Sequence, residues 1–493
     1  MQKLTTLECA RLVLSSNVQL RLRRVDVEQA QRLILTERAA FFPTLGADLA
    51  VRRDRNATPA GYISLSGLFT TSNLVANASL AGALPFGMSY QLSASSEVFW
   101  TPIDSATISP QYQNTLQLQL TQPLLQGNWS AATAKLRASR VDVRVSLARV
   151  RLEASKQLIQ MVRAYWTLVA RRQEREIAEK SLELARAQLK ATRLRVRAGN
   201  LSRLDLTEAQ AAIATRLQEL AQAQQNIVDA ESGLLLVIYG PNRTARRLDL
   251  SAKIVPVDKP EFTIERRPLA ELIALSARQR PEIHVVDEQI HSQRVTSDAA
   301  SVAALPKLDM KVVAGMAALT GDARYATCTD PPTTPCTPGA VVGSYGTAWK
   351  NIFTFAQPFV QVGLALQLPL TSDARRAEAD KQLIALRRLR LERRGVRASV
   401  AVEVRTALLK MKRTNARRQA AKKGLELART NLVAQQKKFK GGIATSFDVL
   451  RVQLDVARAH RNLVQARKDM VVARAELAYA VGNLPAYLGI EVR

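Results

Sequence analysis

Apolar residues recur along this chain with two different periods, and both periods appear in each half. Between Thr115 and Thr121 they alternate, with Leu116, Leu118 and Leu120 on one side and Gln117 and Gln119 on the other. Gln361–Leu368 alternate likewise through Val362, Leu364, Leu366 and Leu368, and Lys307–Val312 set Leu308, Met310 and Val312 against Lys307, Asp309 and Lys311. A period of two predicts strands with two unlike faces. Elsewhere the spacing is three and four. Leu206, Ala209, Ile213, Leu220, Ala223, Ile227, Ala230 and Leu234 form one such row. Val449, Val452, Val456, Ala459, Leu463, Ala466, Met470, Ala473 and Leu477 form the other. This is the seam of a coiled coil. Arg216 alone interrupts it, where Ala459 stands in the second row.

The two seams belong to an internal duplication. LELARAQL followed by RAGNLSRLDL in the first half returns as LELARTNL followed by KGGIATSFDV. Leu182 aligns with Leu425, Gly199 with Gly442 and Asp205 with Asp448 at a constant offset of 243. No proline interrupts a helical composition from about 130 to 198, or from about 373 to 440. At ~1.5 Å per residue each such helix approaches 100 Å, a length that needs a coiled-coil partner. That partner is the return helix after Gly199 or Gly442, so each half predicts a long antiparallel hairpin. The expected organisation is a first repeat over 1–240, a linker over 241–267, a second repeat over 268–484 and a tail over 485–493.

Each repeat opens on an amphipathic helix, over 5–40 and 268–303. Pro43 and Pro306 then switch the chain from helix to strand, because proline cannot continue a helix ladder and pushes its predecessor to extended geometry. Pro123 and Pro369 mark the switch back. Long polar stretches rich in Gly, Ser, Thr and Pro separate the strands over about 54–112 and 319–356, with room for an extra hairpin around Phe86–Phe99.

Composition narrows the picture. Net charge is +29, from 71 Lys and Arg against 42 Asp and Glu. The basic residues spread along every helix instead of clustering, which favours solvated helix faces over a nucleic-acid surface. Of three cysteines, Cys9 lies in the first amphipathic segment and reads as a small core residue. Cys328 and Cys336 bracket DPPTTP and could close a small disulfide, which implies an oxidising compartment. No apolar run reaches the ~18 residues of a membrane-spanning helix. Arg11 breaks the only candidate signal-peptide core, so either the protein is not exported or its leader is absent from this sequence.

The strands can lie on a water-soluble core or span a membrane, and alternation alone does not separate the two. Two reliable strands per half are too few for a closed barrel, whose smallest outer-membrane examples need about eight. Membrane strands would therefore have to be pooled from several copies.

The order of motifs resembles the TolC-like outer-membrane efflux proteins. The resemblance rests on LTTLECARLVLSSNVQLRLRRVDVEQAQ and its counterpart LAELIALSARQRPEIHVVDEQI, on FFPTL and ALPKL before the strands, on LTQPLLQG and LQLPLTSD after them, and on the two hairpin tips. It implies a mainly α fold with a β-barrel portion. In that fold the duplicated hairpins build an α-barrel, and four strands per protomer contribute to a twelve-stranded barrel shared by a homotrimer. It implies a Gram-negative outer-membrane location extending into the periplasm, contact with outer-membrane lipid, and export through the lumen. The implied partners are a periplasmic adaptor of the membrane-fusion type and an inner-membrane pump of RND, ABC or MFS type, as in tripartite efflux and type I secretion. No cofactor or metal and no nucleic acid is implied.

Within the family the tips dock the adaptor, which points to Gly199, Asn200, Leu201, Ser202 and Leu204, and to Gly441, Gly442, Ile443, Thr445 and Ser446. Gly199 and Gly442 let the backbone reverse, and Ser202 and Thr445 are suited to cap the returning helix. Asp205 and Asp448 then have two readings: first-turn residues favoured by the helix dipole, or acidic groups at a periplasmic gate. The best-known gate pattern has Tyr, an Arg just after the glycine, and two Asp three residues apart. This chain carries Phe439, Ala444, Asp448 and Arg451 there, so a double acidic ring gives way to a different latch, with Asp448–Arg451 pairing as one form of it.

Enzymatic readings lack support. His284, His291 and His460 have no carboxylate or cysteine set at metal spacing, and no nucleotide-binding loop, nucleophile elbow or CxxC motif is present. A soluble coiled-coil scaffold without channel activity is the alternative.

Overall fold

The computed structural model describes residues 2–57, 67–103, 106–127, 129–199, 201–240, 254–326, 328, 336–368 and 373–490. Asn200, Pro241 and Pro369 lie outside the described residues. The first half runs through β1 (Gln2–Leu4), α1 (Thr6–Ser16) and α2 (Val18–Ala39) into four strands, β2 (Thr44–Ala57), β3 (Leu68–Ala83), β4 (Ser89–Trp100) and β5 (Ile108–Pro123). A single turn, α3 (Trp129–Ala132), precedes the hairpin of α4 (Ala134–Arg197) and α5 (Arg203–Tyr239). The second half follows with β6 (Ile254–Pro256), α6 (Leu269–Gln279), α7 (Pro281–Ala303), β7 (Lys307–Ala323), α8 (Tyr345–Phe353) and β8 (Pro358–Gln367). It closes on the hairpin of α9 (Asp373–Lys440) and α10 (Ser446–Val481), with a last turn α11 (Leu484–Tyr487).

Two compact units result. One contains residues 1–29, 143–289 and 389–493, and the other residues 30–142 and 290–388. Each unit draws on both halves of the duplication. The first is helical apart from β1 and β6, which pair in parallel. The second contains the sheet.

Among the described residues six strands, not four, form that sheet, in the order β2-β3-β4-β5-β7-β8 with every neighbour antiparallel. The added hairpin of β3 and β4 lies inside the polar stretch, where the sequence left room for one around Phe86–Phe99, and both strands run longer than that. Its apolar positions are largely Ala or Ser (Ala76, Ala78, Ala94, Ser96), so its alternation is faint beside the Leu/Gln alternation of β5.

Register sorts the side chains of all six strands onto two faces. One row runs Leu45, Leu80, Leu92, Leu118, Ala314 and Val360 as successive partners, with Leu49, Ala76, Leu116, Met316, Val312 and Val362 on the same face. The other face carries Asp48, Asn77, Ser95, Thr115, Gln117, Lys311 and Gln361. Both outer strands, β2 and β8, are exposed over nearly their whole length and have a backbone edge with no strand partner among the described residues.

The amphipathic opening of each half is two helices, not one. The first breaks at Asn17, whose side-chain oxygen accepts from Gln19 N at 2.8 Å and whose amide donates to the Val237 carbonyl at 2.8 Å. The second breaks at Arg280, ahead of Pro281, which has no N–H to give the ladder. Arg280 donates to the Tyr479 carbonyl at 2.9 Å and to Glu403 at 2.6 Å. In both halves a buried polar side chain at the break thus grips a carbonyl near the end of the return helix.

The helical unit has its largest core where α1 packs on the hairpin. Cys9, Ala10 and Val13 meet Leu158, Met161 and Tyr165 of α4 and Leu234 and Ile238 of α5. The Tyr165 hydroxyl donates to the Leu4 carbonyl at 3.0 Å and accepts from Asp258 N at 3.3 Å. Burial pushes the Cys9 thiol up to about 12. A second core joins Leu272 and Ile283 to Val404 and Met411 of α9 and to Met470, Ala473 and Leu477 of α10. Burying such a side chain contributes roughly 1.5–3 kcal/mol, so these clusters outweigh helix propensity in fixing the hairpins.

Candidate functional site

Each hairpin turns by the same device. Gly199 and Gly442 hold φ of +76° and +77°, where L side chains are strained, and neither has any atom within 4 Å of where a Cβ would stand. The glycines are therefore required by backbone geometry and not by crowding. Gly199 N donates to the Val196 carbonyl at 3.1 Å, and Gly442 N to the Phe439 carbonyl at 3.1 Å, which closes the outgoing helix.

The return helix then starts in a capping box. Ser202 N donates to Asp205 Oδ2 at 3.0 Å, while Ser202 Oγ accepts from the first turn of α5. Thr445 N donates to Asp448 Oδ2 at 3.0 Å, and Asp448 N returns a bond to Thr445 Oγ1 at 3.2 Å. A Ser or Thr followed three residues later by an acid satisfies two orphan donors reciprocally. The Thr445 hydroxyl, before its backbone N–H and the more distant Arg451 charge, holds the Asp448 carboxyl below its ordinary range. Asp448 thus spends its carboxylate on the cap, and Arg451 acts on it as a nearby charge without a direct ion pair. Asp205 and Asp448 both take the first-turn position.

The outer surface of the tips is apolar as well as polar. Leu204 is 66% exposed and Ile443 81% exposed. Leu201 is half-buried, and Gly441 N is tied to the Lys437 carbonyl at 3.1 Å. Ser446 and Phe439 are buried.

What buries them is the other hairpin. Arg195 near the end of α4 lies over the Phe439 ring and donates to the Phe439 carbonyl at 2.8 Å. Gln188 Nε2 donates to Ser446 Oγ at 3.2 Å, and the Thr192 and Ser446 hydroxyls are 2.8 Å apart. Ala185, Ala209 and Leu450 pack beneath. The two tips are therefore latched side by side within one chain, through Arg195, Gln188 and Thr192, none of which the sequence singles out. Further up, Arg216 is buried with its side chain 6% exposed, paired with Glu219 at 3.2 Å, and Glu219 also faces Arg461 at 3.6 Å.

Pro43 and Pro306 stand between helix and strand, and Pro123 is the last residue of β5. Cys328 and Cys336 are bonded, with their Cα atoms 4.9 Å apart. Among the described residues no group of three or more His, Cys, Asp or Glu could hold a metal ion. Nor is any described helix long and apolar enough to cross a membrane, which leaves strand spans untouched.

The sequence profile described as outer membrane efflux protein matches residues 10–238 and 272–483. The chain belongs to that family. Its two matched segments take in both hairpins and all six strands of the sheet. Comparison with curated proteins gives no match. Among solved structures the chain is similar to the Campylobacter jejuni CmeC outer membrane channel, with a TM-score of 0.66 and 14% identity over 97% of this chain and 86% of that one. It is similar to the outer membrane protein VceC of Vibrio cholerae, with a TM-score of 0.63 and 15% identity over 97% and 96%. It is also similar to the open state of the Neisseria gonorrhoeae MtrE outer membrane channel, with a TM-score of 0.63 and 17% identity over 97% and 89%. At these identities the likeness is one of fold, mainly helical with an antiparallel sheet.

Proposed function

We propose that this efflux family member is the outer-membrane channel of an export system, passing substrates from the periplasm to the outside without chemistry on them. The observation that carries this reading is the six-stranded sheet, apolar on one face, polar on the other and open at both edges. Lipid tolerates no unpaired backbone edge. Pairing β2 of one copy with β8 of the next removes both edges, turns the Leu-rich face to lipid and the Gln, Ser and Asp face to a wet lumen.

A homotrimer then pools three sets of six strands, eighteen in all, instead of twelve. Barrel diameter grows with strand number, and sixteen- to eighteen-stranded porins leave an aqueous channel. The hairpins continue as a periplasmic tunnel. Its tips, Gly199–Leu204 and Gly441–Ser446, are the adaptor-docking surface, with exposed Leu204 and Ile443 offering apolar anchors. The adaptor in turn joins an inner-membrane pump of RND, ABC or MFS type. With Asp205 and Asp448 committed to caps, the resting entrance is latched through Arg195 and Phe439 instead of an acidic ring.

Single-particle imaging of the detergent-purified protein tests this. A threefold hollow particle with a detergent belt and eighteen resolved strands is expected. A threefold particle with twelve strands would reject the count alone. A particle that needs no detergent would reject the channel and favour a coiled-coil scaffold.

A further inference from the structure

One patch of the sheet's apolar face does not suit lipid by itself. Ser96, Asn114 and Thr320 all lie on that face, and all three are buried. The cover is α8, which leaves β7, folds back over the face and returns into β8. Tyr345 OH is 3.0 Å from Ser96 Oγ. With the Asn114 amide turned to the orientation its neighbours demand, Trp349 Nε1 donates to its side-chain oxygen at 3.1 Å and its nitrogen donates to Ser96 Oγ at 2.8 Å. Thr320 Oγ1 donates to the Ser344 carbonyl at 3.2 Å. Ala348 and Ile352 are fully buried against the strands.

The level of this patch follows from the aromatic residues of the same face. Tyr90 and Trp100 stand at the two ends of β4. Their separation of about ten residues is ~33 Å along the strand, and the usual barrel tilt reduces it to ~25 Å, the height of the apolar band between aromatic girdles. Trp100 marks the end away from the helices, and Ser96 lies two face positions inside it. Tyr112, edge-on to Tyr345 with ring centroids 5.8 Å apart, belongs to the same girdle.

The other side of α8 and the turn after it carry large apolar groups that stay mostly exposed, with Phe353 stacked only on Trp349 of the same helix among the described ring contacts. Phe353 is 70% exposed and Phe355 65% exposed, with Lys350 also exposed beside them. Phe355 is the one non-glycine among the described residues with positive φ, at +54°. It stands just past the helix end, where glycine usually serves and a bulky side chain is strained.

Resting on the channel reading, we propose that α8 and the turn through Phe355 are an interfacial anchor. It is seated on the outer wall of the barrel and inserts Phe353 and Phe355 at the acyl boundary of the outer leaflet. An aromatic, cationic amphipathic helix at a girdle has the chemistry for that boundary. Its inner side satisfies the three polar groups that lipid would leave unpaired.

The test is lipid quenching of a fluorophore. Phe353→Cys and Leu118→Cys variants are labelled separately, since Cys9 is buried and Cys328 is bonded to Cys336. Each is reconstituted into phosphatidylcholine vesicles carrying a spin label near the carbonyls or near the chain ends. The position 353 probe should be quenched by the shallow label and little by the deep one, while the position 118 probe is quenched by the deep label. Quenching at 118 with none at 353 overturns the anchor and leaves the barrel standing. No quenching at 118 rejects the membrane reading itself. Phe355→Gly separates anchoring from folding: its melting temperature should be unchanged or raised, and quenching at 353 weakened. A lowered melting temperature would make the ring a packing residue and overturn the proposal.

Discussion

The Arg195 guanidinium lies over the Phe439 ring, its central carbon 4.1 Å from the centroid, and donates to the Phe439 carbonyl at 2.8 Å. One side chain thereby holds both the ring and the backbone of the neighbouring hairpin just before its turn. Cation–π contacts of this kind contribute about 0.5–2 kcal/mol and a charged hydrogen bond about 1.5–3 kcal/mol. Arg195→Ala should therefore loosen the tips by about 2 kcal/mol. In planar bilayers it should raise the open fraction of the channel, with Arg195→Lys intermediate because a lysine has no planar fork to stack. Unchanged conductance in Arg195→Ala would remove this latch from the gating scheme.

The capping boxes predict equal and modest effects at two equivalent sites. Ser202→Ala and Thr445→Ala should each cost about 1 kcal/mol, the usual worth of an N-cap. Asp448 adds a pH dependence of known sign. Its carboxyl is held below the ordinary value of 3.8 by the Thr445 hydroxyl first. The folded state thus binds fewer protons than the unfolded one, so the stabilisation is full above that value and is lost as pH falls through the lower folded value. Protection factors of amides at the second tip, which are exchange rates divided into the intrinsic rate at each pH, should fall on acidification toward pH 3, and Asp448→Asn should abolish that fall.

These tips also define what the sequence could disclose. The turns were legible because their devices are local: a glycine and then a Ser or Thr three residues before an acid, all within a few positions. Strands β5, β7 and β8 were legible because Leu and Val alternate with Gln and Lys. The β3–β4 pair was legible only as an extra hairpin around Phe86–Phe99, without strand bounds, since Ala and Ser weaken its contrast. Nor were Arg195, Gln188 and Thr192, whose partners lie 244 to 258 residues away and meet them only when the hairpins pack. The breaks at Asn17 and Arg280 stayed hidden for the same reason, because their reward is a carbonyl on a distant helix.

Thiol chemistry should find one reactive group only after unfolding. Cys9 is buried and its thiol is pushed up to about 12 by burial first, then by Asp258 and Glu8. The thiolate is the nucleophile, so iodoacetamide at neutral pH should not modify the native chain. In denaturant without reductant it should add once, at Cys9. Addition at three sites would mean that Cys328 and Cys336 are not joined in the purified protein.

His460 predicts a loss of stability on mild acidification. Burial, then the charges of Arg429 and Arg467, holds the ring below its ordinary value of 6.5. Lys180 and Glu176 of α4 line the same groove. The unfolded chain therefore binds a proton that the folded chain resists, and stability falls as pH drops below about 6.5. His460→Gln should flatten that part of the curve measured by urea melts between pH 5 and 8. A slope that survives the substitution would assign it to another group.

Arg216 breaks an otherwise apolar seam, and the way it is buried predicts an asymmetry between two substitutions. Its side chain is 6% exposed and paired with Glu219, which also faces Arg461. Removing one partner of a buried pair leaves an uncompensated charge and costs about 3–5 kcal/mol; Glu219 keeps some water, which places Glu219→Ala at about 2–3 kcal/mol. Removing the arginine has the opposite logic. Ala459 occupies the equivalent position in the second hairpin, so Arg216→Ala restores the small-residue seam and frees Glu219 to pair with Arg461 alone. That variant should be neutral or more stable, and the double variant should resemble it instead of adding the two costs. Thermal melts of the four proteins decide the matter. If Arg216→Ala is as damaging as Glu219→Ala, the arginine is holding the hairpins together and not being tolerated between them.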